Sequence, residues 1–155
     1  MCSRKISLGL WMWHGKMGLL AERYLKDAIR YNSYFGLVRA DAKRIPFKTK
    51  SFDCVVAVEL IEHLQKPDGY TFLEETKRIA KRRIVLSTPS GYFKSLCDTD
   101  EEVHRSGWNK SELEKSGFCC STFKGELYTW LLCILNLEKS LNRSWSLQKE
   151  LVSNL

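Results

Sequence analysis

No apolar run in this 155-residue chain is long enough to cross a bilayer. The most hydrophobic stretch, residues 127–137, falls far short of the ~20 residues that a helical span needs. The amino terminus only imitates a secretory leader. Its apolar part is short, carries Trp11 and Trp13, and runs into His14 and Lys16 where a small-residue cleavage site belongs. Repeats and low-complexity tracts are absent, and so is any Cys-x-x-Cys pair, which argues against a zinc ribbon. Cys54 sits in a strand pattern and Cys133 in an apolar run that reads as helical, where thiols behave as small buried hydrophobes. Cys119 and Cys120 are adjacent and face opposite sides of a strand. Reduced thiols in a cytoplasmic protein are therefore expected. Massed positive charge is missing as well. The net charge is +7, but the bases are scattered in short groups such as Lys43-Arg44 and Lys81-Arg82-Arg83. That pattern favours a solvated basic surface and leaves nucleic acid open as a partner.

What is present suits one soluble globular domain over residues 1–155, with 44% hydrophobic and 28% charged residues. Leu20, Tyr24, Leu25, Ala28 and Ile29 follow helical spacing within residues 19–31. Gly36 breaks that pattern, and residues 37–40 form a short strand ending at Asp41. Pro46 and the polar residues 48–51 make a loop. Residues 54–58 are a continuous strand-forming run, expected to be buried on both faces. A helix over 70–80 carries Glu74 and Glu75 early and Lys77, Arg78 and Lys81 late, as the helix dipole favours. Residues 84–88 form the next buried strand, stopped by Pro89, and a polar loop runs over 90–107. Asn109 and Glu112 have the spacing of a capping box, and Gly117 is placed to end that short helix. Residues 118–123 read as a strand. Residues 126–141 read as a helix with a broad apolar face, a candidate surface for a protein partner, followed by a polar tail.

Strands alternating with helices imply an α/β fold, a Rossmann-like, mostly parallel sheet with helices on both faces and right-handed crossovers. In such folds ligands sit at the carboxyl ends of the strands. Two strand ends here close on polar residues, at Asp41 and at Glu59.

The ordered set Ala40-Asp41-Ala42, Ile45-Pro46-Phe47, Ser51-Phe52-Asp53, Glu59-x-x-Glu62-His63-Leu64 and Ser87-Thr88-Pro89 resembles class I S-adenosylmethionine-dependent methyltransferases of the type 11 kind. The segment His104-Arg105-Ser106-Gly107-Trp108, with Leu113 and Gly117-Phe118, is similar to a late part of the same family. The resemblance covers roughly residues 22–118. It implies methyl transfer from S-adenosylmethionine to an acceptor, most simply a small molecule. It places Asp41 and Ala42 at the adenine, and Val58, Glu59 and His63 along the methionine side. No catalytic base is implied, because displacement at a sulfonium methyl needs positioning above all. Asp53 is expected to tie down the turn before its strand, and Trp108 to anchor the core. Some relatives that methylate quinone precursors or RNA 3′ ends hold a divalent cation with such a Glu-x-x-Glu-His cluster. Glu59, Glu62, His63 and His104 are the corresponding candidates here, suited to an oxygen- and nitrogen-binding ion. The blander role for the same residues is structural or cofactor-lining.

The chain departs from this family at its amino end. The family carries a glycine-rich turn after its first strand, where backbone N–H groups approach the cofactor. Here residues 1–18 hold only a damaged counterpart: Trp11-Met12-Trp13 stands where Gly-x-Gly belongs, with Gly15 as a relic of the cofactor-binding turn. Trp-Met-Trp is also what a Gly-Cys-Gly coding stretch yields one base out of frame, so an out-of-frame or mis-spliced amino terminus is one expectation and chance the other. Between Gly18 and Asp41 there is room for one helix and one strand, whereas a βαβ unit takes about 30 residues or more. The acidic partner for the ribose has no clear counterpart. A gap beside the first strand, with an exposed edge, is expected. The fold is thus read as incomplete at its amino-terminal end and its activity as open to impairment, with a non-catalytic binding protein as one alternative and a metal-dependent RNA 3′-end methyltransferase, resting on Glu59, Glu62, His63 and the positive charge, as the other.

Overall fold

The computed structural model describes residues 7–13, 16–21, 37–93, 103–125 and 129–138. They build one seven-stranded sheet. β1 (Ser7–Trp13) and β2 (Lys16–Ala21) pair antiparallel, from Trp13 against Lys16 to Leu8 against Ala21. β3 (Leu37–Asp41) lies antiparallel on the other side of β1. β4 (Phe52–Val58) runs parallel to β2, and β5 (Ala80–Pro89) parallel to β4. β7 (Thr129–Asn136) is antiparallel to both its neighbours, β5 and β6 (Cys119–Lys124). The order is β3-β1-β2-β4-β5-β7-β6. β2, β3, β4, β5 and β6 point one way, and β1 and β7 the other. The α/β, Rossmann-like reading holds.

The helices explain the core. α1 (Lys66–Ile79) opens with a proline in its first turn and ends with Lys77 and Arg78, and it buries Phe72, Leu73, Thr76 and Ile79. Phe72, Leu73 and Ile79 join Val55 and Ala57 of β4, Ile84 and Leu86 of β5, and Leu131 of β7 in one buried cluster. α2 (Lys110–Lys115) starts on the expected capping box: Asn109 Oδ1 accepts from Glu112 N–H, and the Glu112 carboxylate accepts from Asn109 N–H, each at 3.0 Å. Gly117, at φ +96°, ends it in a conformation that favours glycine. Trp108 is fully enclosed, as expected of a core anchor, with its indole N–H donating to Ser106 Oγ and Lys66 Nζ 3.7 Å from the ring. No described helix is long and apolar enough to cross a membrane.

Several expectations are corrected. Residues 19–21 belong to β2, with Leu19 level with Ala57, and do not begin a helix; residues 22–31 of that expected helix lie outside the described residues. The apolar run near the carboxyl end is strand β7, not a helix, so the proposed helical partner surface does not exist. Short apolar runs carry no periodicity that separates the two, and here ladders on both sides decide for the strand. Cys120 and Cys133, opposite each other in the β6–β7 register, form a disulfide, so the expectation of reduced thiols fails for that pair. Asp53 is exposed and pairs with Lys81 at 3.7 Å, tying β4 to β5 instead of holding the preceding turn. The expected gap in the sheet is filled by β1, which occupies the place between β2 and β3 in reverse.

Candidate active site at the carboxyl edge of the sheet

The register aligns the two polar strand ends. Asp41 stands against Ser7, Leu8 against Ala21, and Leu19 against Ala57. Asp41, the end of β2 and Glu59 therefore share one edge of the sheet. Three strand spacings separate Asp41 from Glu59, roughly 14 Å, a span suited to an elongated nucleoside-bearing ligand.

At the β3 end, Asp41 Oδ1 accepts the Lys43 N–H (2.9 Å) and the Asp41 carbonyl accepts the Arg44 N–H (3.0 Å), a tight turn that fixes the carboxylate. Ala42 is wholly enclosed in the core. The loop beyond is clamped from α1. Arg78 donates to the carbonyls of Phe47 (2.7 Å) and Ile45 (2.9 Å), and Glu75 accepts the Ile45 N–H (2.8 Å) while pairing with Arg78. The hydrogen bond from Arg78 holds the Glu75 carboxyl below its ordinary range. The sequence offered this clamp as Glu75-x-x-Arg78, an i,i+3 spacing read only as dipole polarity.

At the β4 end, Val58 is 49% exposed. Glu59 follows in the left-handed region, at φ +50°, a conformation that non-glycine residues hold only when the surroundings impose it. β5 imposes it here: the Glu59 N–H donates to the Ser87 carbonyl, and the Ser87 hydroxyl donates to Glu59 Oε1, both at 3.1 Å. The 3-10 turn Ile61–His63 then carries Glu62 inward, to 2% exposure. Thr88 Oγ1–H donates to Glu62 Oε2 at 3.0 Å, and Glu62 Oε1 is buried with no hydrogen-bond partner. Burial above all, and the neighbouring Glu59 charge, push the Glu62 carboxyl up to about 8; burial also raises Glu59. The Glu62 carbonyl accepts the N–H groups of Arg105 and Ser106, which draws the 103–108 segment over the turn.

That segment brings His104 to His63, with ring centroids 5.0 Å apart. His104 Nδ1 lies 2.9 Å from the Phe93 carbonyl and His63 Nδ1 3.4 Å from that of Val103. Ligating atoms of Glu62, His63 and His104 all lie within 4.8 Å of one another. Of the four cation candidates these three converge, while Glu59 accepts the Ser87 hydroxyl. Ser87 and Thr88 were visible in the sequence as a motif, but their partners were not. Gly15 lies outside the described residues; Trp13 and Lys16 pair level with Cys54, at the end of the sheet away from Asp41 and Glu59. His14 also lies outside them.

Comparison with known proteins bears on the fold. A family model described as a methyltransferase domain matches residues 18–86. No curated protein matches the sequence. Among solved structures, a Pyrococcus horikoshii protein is 17% identical over 75% of this chain and 66% of its own, with a TM-score of 0.53. A Thermotoga maritima S-adenosylmethionine-dependent methyltransferase is 19% identical over 76% and 70%, with a TM-score of 0.54. A Burkholderia thailandensis 1,6-didemethyltoxoflavin-N1-methyltransferase, with that substrate and S-adenosylhomocysteine bound, is 11% identical over 75% and 56%, with a TM-score of 0.52. The chain thus spans about two thirds of the first of these and little more than half of the last.

Proposed function

From a chain that resembles the class I S-adenosylmethionine-dependent methyltransferases in family signature and in fold, we propose a methyl-transfer domain with a weakened hold on its cofactor. S-adenosylmethionine lies along the edge from Asp41 to Glu59, and its methyl group passes to a small-molecule acceptor. The observation that carries this reading is the register, which sets Asp41 and Glu59 on one edge at nucleoside-ligand spacing. The donor set fits the group. Asp41 Oδ1 takes the Lys43 N–H and leaves Oδ2 to accept from the adenine amino group, while Val58, Glu59 and His63 border the methionine end. Bound S-adenosylmethionine supplies an electrophilic methyl carbon on a sulfonium; this chain contributes orientation.

The hold is weakened because the sequence after β2, which spans Lys16–Ala21, continues Glu22-Arg23, with no glycine in the place where the family turns its backbone toward the cofactor. Losing about three backbone hydrogen bonds at ~1 kcal/mol each corresponds to roughly a hundredfold in affinity. Calorimetric titration with S-adenosylhomocysteine tests the reading. Measurable binding that Asp41→Ala weakens severalfold is expected, and no heat at millimolar ligand refutes it.

A second reading is favoured by the convergence of Glu62, His63 and His104 and by the unpartnered Glu62 Oε1. These three would hold a divalent cation, with the Glu62 proton displaced on binding. Manganese binding followed by electron paramagnetic resonance, lost in Glu62→Gln, is the expected result; binding unchanged by that substitution refutes it.

A further inference from the structure

We infer that the Cys120–Cys133 bridge is a redox-sensitive support for the ligand edge, so that a dithiol reductant, by opening it, lowers the affinity of that edge for S-adenosylhomocysteine. The ligand readout rests on the methyl-transfer reading; the structural response to reduction does not.

The bridge joins two strands that already hold each other. Cys120 and Cys133 stand directly opposite in the antiparallel β6–β7 ladder, 13 residues apart in sequence and with Cα atoms 4.1 Å apart. Backbone pairing from Cys119 against Ile134 to Lys124 against Thr129 binds the same two strands. A cross-link over so short a loop constrains the unfolded chain less than one between distant segments. By the same linkage, folding favours the bridge only modestly over its two thiols, which suits a reversible link. The sheet order supplies the route to it. β6 comes last and, among the described strands, pairs with β7 alone, so local opening of that one ladder admits a reductant while β7 stays on β5.

The oxidation state matters to the site because the pair is packed. Cys120 is 1% and Cys133 0% exposed, within the cluster that holds Leu86, Leu113, Phe118 and Leu131. Two thiols occupy more room than one cystine, and a close-packed interior takes extra volume only by moving its walls. β7 carries that displacement to the ligand edge. Cys133 lies level with Leu86, and the next pairs are Leu132 with Ser87, Leu131 with Thr88 and Trp130 with Pro89. The Ser90 N–H donates to the Thr129 carbonyl at 2.8 Å, fixing β7 to the chain just beyond β5. Ser87 is the residue that holds Glu59 at φ +50°, through its carbonyl and its hydroxyl, and Thr88 holds Glu62. The part of β7 that backs these two hydroxyls thus begins one residue from the bridge.

In the reduction, a thiolate of the dithiol attacks one sulfur of the bridge and forms a mixed disulfide, releasing the other cysteine as a thiol. The second thiolate of the dithiol then displaces the remaining cysteine. Two electrons and two protons pass to the chain, and the reductant leaves as its own disulfide.

The test equilibrates the full chain in mixtures of reduced and oxidised dithiothreitol, reads the bridge by alkylation and peptide mass, and titrates each state with S-adenosylhomocysteine. Hydrogen exchange of the wild type, followed by mass spectrometry, is compared between the two states. Affinity should be roughly threefold to tenfold higher with the bridge closed. By reciprocity, saturating S-adenosylhomocysteine should raise, by the same factor, the ratio of reduced to oxidised dithiothreitol that opens half the molecules. Reduction should speed exchange at residues 87–90 as well as in β6 and β7. The double variant Cys120→Ala/Cys133→Ala should bind equally in both mixtures; if it does not fold, the wild-type exchange comparison decides. A bridge that does not close in oxidised dithiothreitol, faster exchange in β6 and β7 only, equal affinity in the two states, or a double variant that still responds overturns the inference. No S-adenosylhomocysteine heat in either state, with the response at 87–90 intact, removes the methyl-transfer reading and keeps the coupling between bridge and edge.

Discussion

Glu62 gives the sharpest prediction, because its burial beside Glu59 fixes the sign of a pH effect. Its carboxyl is pushed up to about 8 in the fold, chiefly by burial, from 4.5 in a solvated setting. Between those values the folded chain holds a proton that the unfolded chain has released. Stability must therefore fall as pH rises through this window, and level off above about 8. From pH 5.5 to 7.5 the difference in bound protons stays close to one, which at 1.36 kcal/mol per pH unit gives a loss of about 2 kcal/mol. For a domain of this size that is a fall in Tm of about 4–8 °C. Glu62→Gln keeps the size of the side chain and an oxygen to accept from Thr88, while removing the titration. Urea unfolding followed by tryptophan fluorescence, with EDTA present, should show the fall in the wild type and most of it gone in Glu62→Gln. Wild-type stability that is flat or rising over this range, or a variant that falls as steeply, would refute the burial argument.

Three further substitutions probe the frame around the site. Arg78→Ala removes the hydrogen bonds to the Ile45 and Phe47 carbonyls and the pair with Glu75. It should cost about 2 kcal/mol in chemical denaturation, with the guanidinium partly solvated. It should also weaken S-adenosylhomocysteine through the loosened loop after Asp41, and Arg78→Lys should not restore the two-carbonyl grip. Gly69→Ala sets a Cβ into the Trp108 ring within the core and should cost about 1–3 kcal/mol, read as a lowered Tm. Asn109→Ala removes the cap of α2 and should cost about 1 kcal/mol, whereas Asn109→Asp should keep most of it.

What the sequence disclosed, and what it hid, follows from how local each determinant is. The strand ending at Asp41, the strand ending at Val58, the helix carrying Phe72 and Ile79, and the Asn109 capping box are all written in short-range pattern, and all four stand in the structure. The 129–136 run is apolar at every period, and only its place between β5 and β6 decides for a strand. The same ladder sets Cys120 against Cys133, a pairing that thirteen residues of separation did not announce. At the site, Glu62 and His63 were legible as a cluster. The Thr88 hydroxyl on Glu62, the Ser87 hydroxyl on Glu59 and the Phe93 carbonyl on His104 were not, because each joins segments that meet only through the parallel β4–β5 crossover and the loop beyond it.

The amino-terminal hairpin shows how a place in a sheet can be filled without bringing the same residues to its carboxyl edge. A position within a sheet asks for backbone donors and acceptors on both sides, and an antiparallel strand meets that demand at least as well as a parallel one. β1 therefore completes the ladder between β2 and β3 although it runs backwards. Reversal changes what arrives at the ligand edge. A parallel strand in that place would deliver its carboxyl end beside Asp41, with whatever polar residue follows; β1 delivers its amino end, Ser7. On the methyl-transfer reading proposed above, an acid for the ribose is then not delivered from this place because of strand direction. Placing an acid at Ser7, as Ser7→Asp, should accordingly fail to raise S-adenosylhomocysteine affinity, because Ser7 and Asp41 stand directly opposite each other and two carboxylates there repel. A gain in affinity from Ser7→Asp would mean that the direction of the strand is not what limits the site.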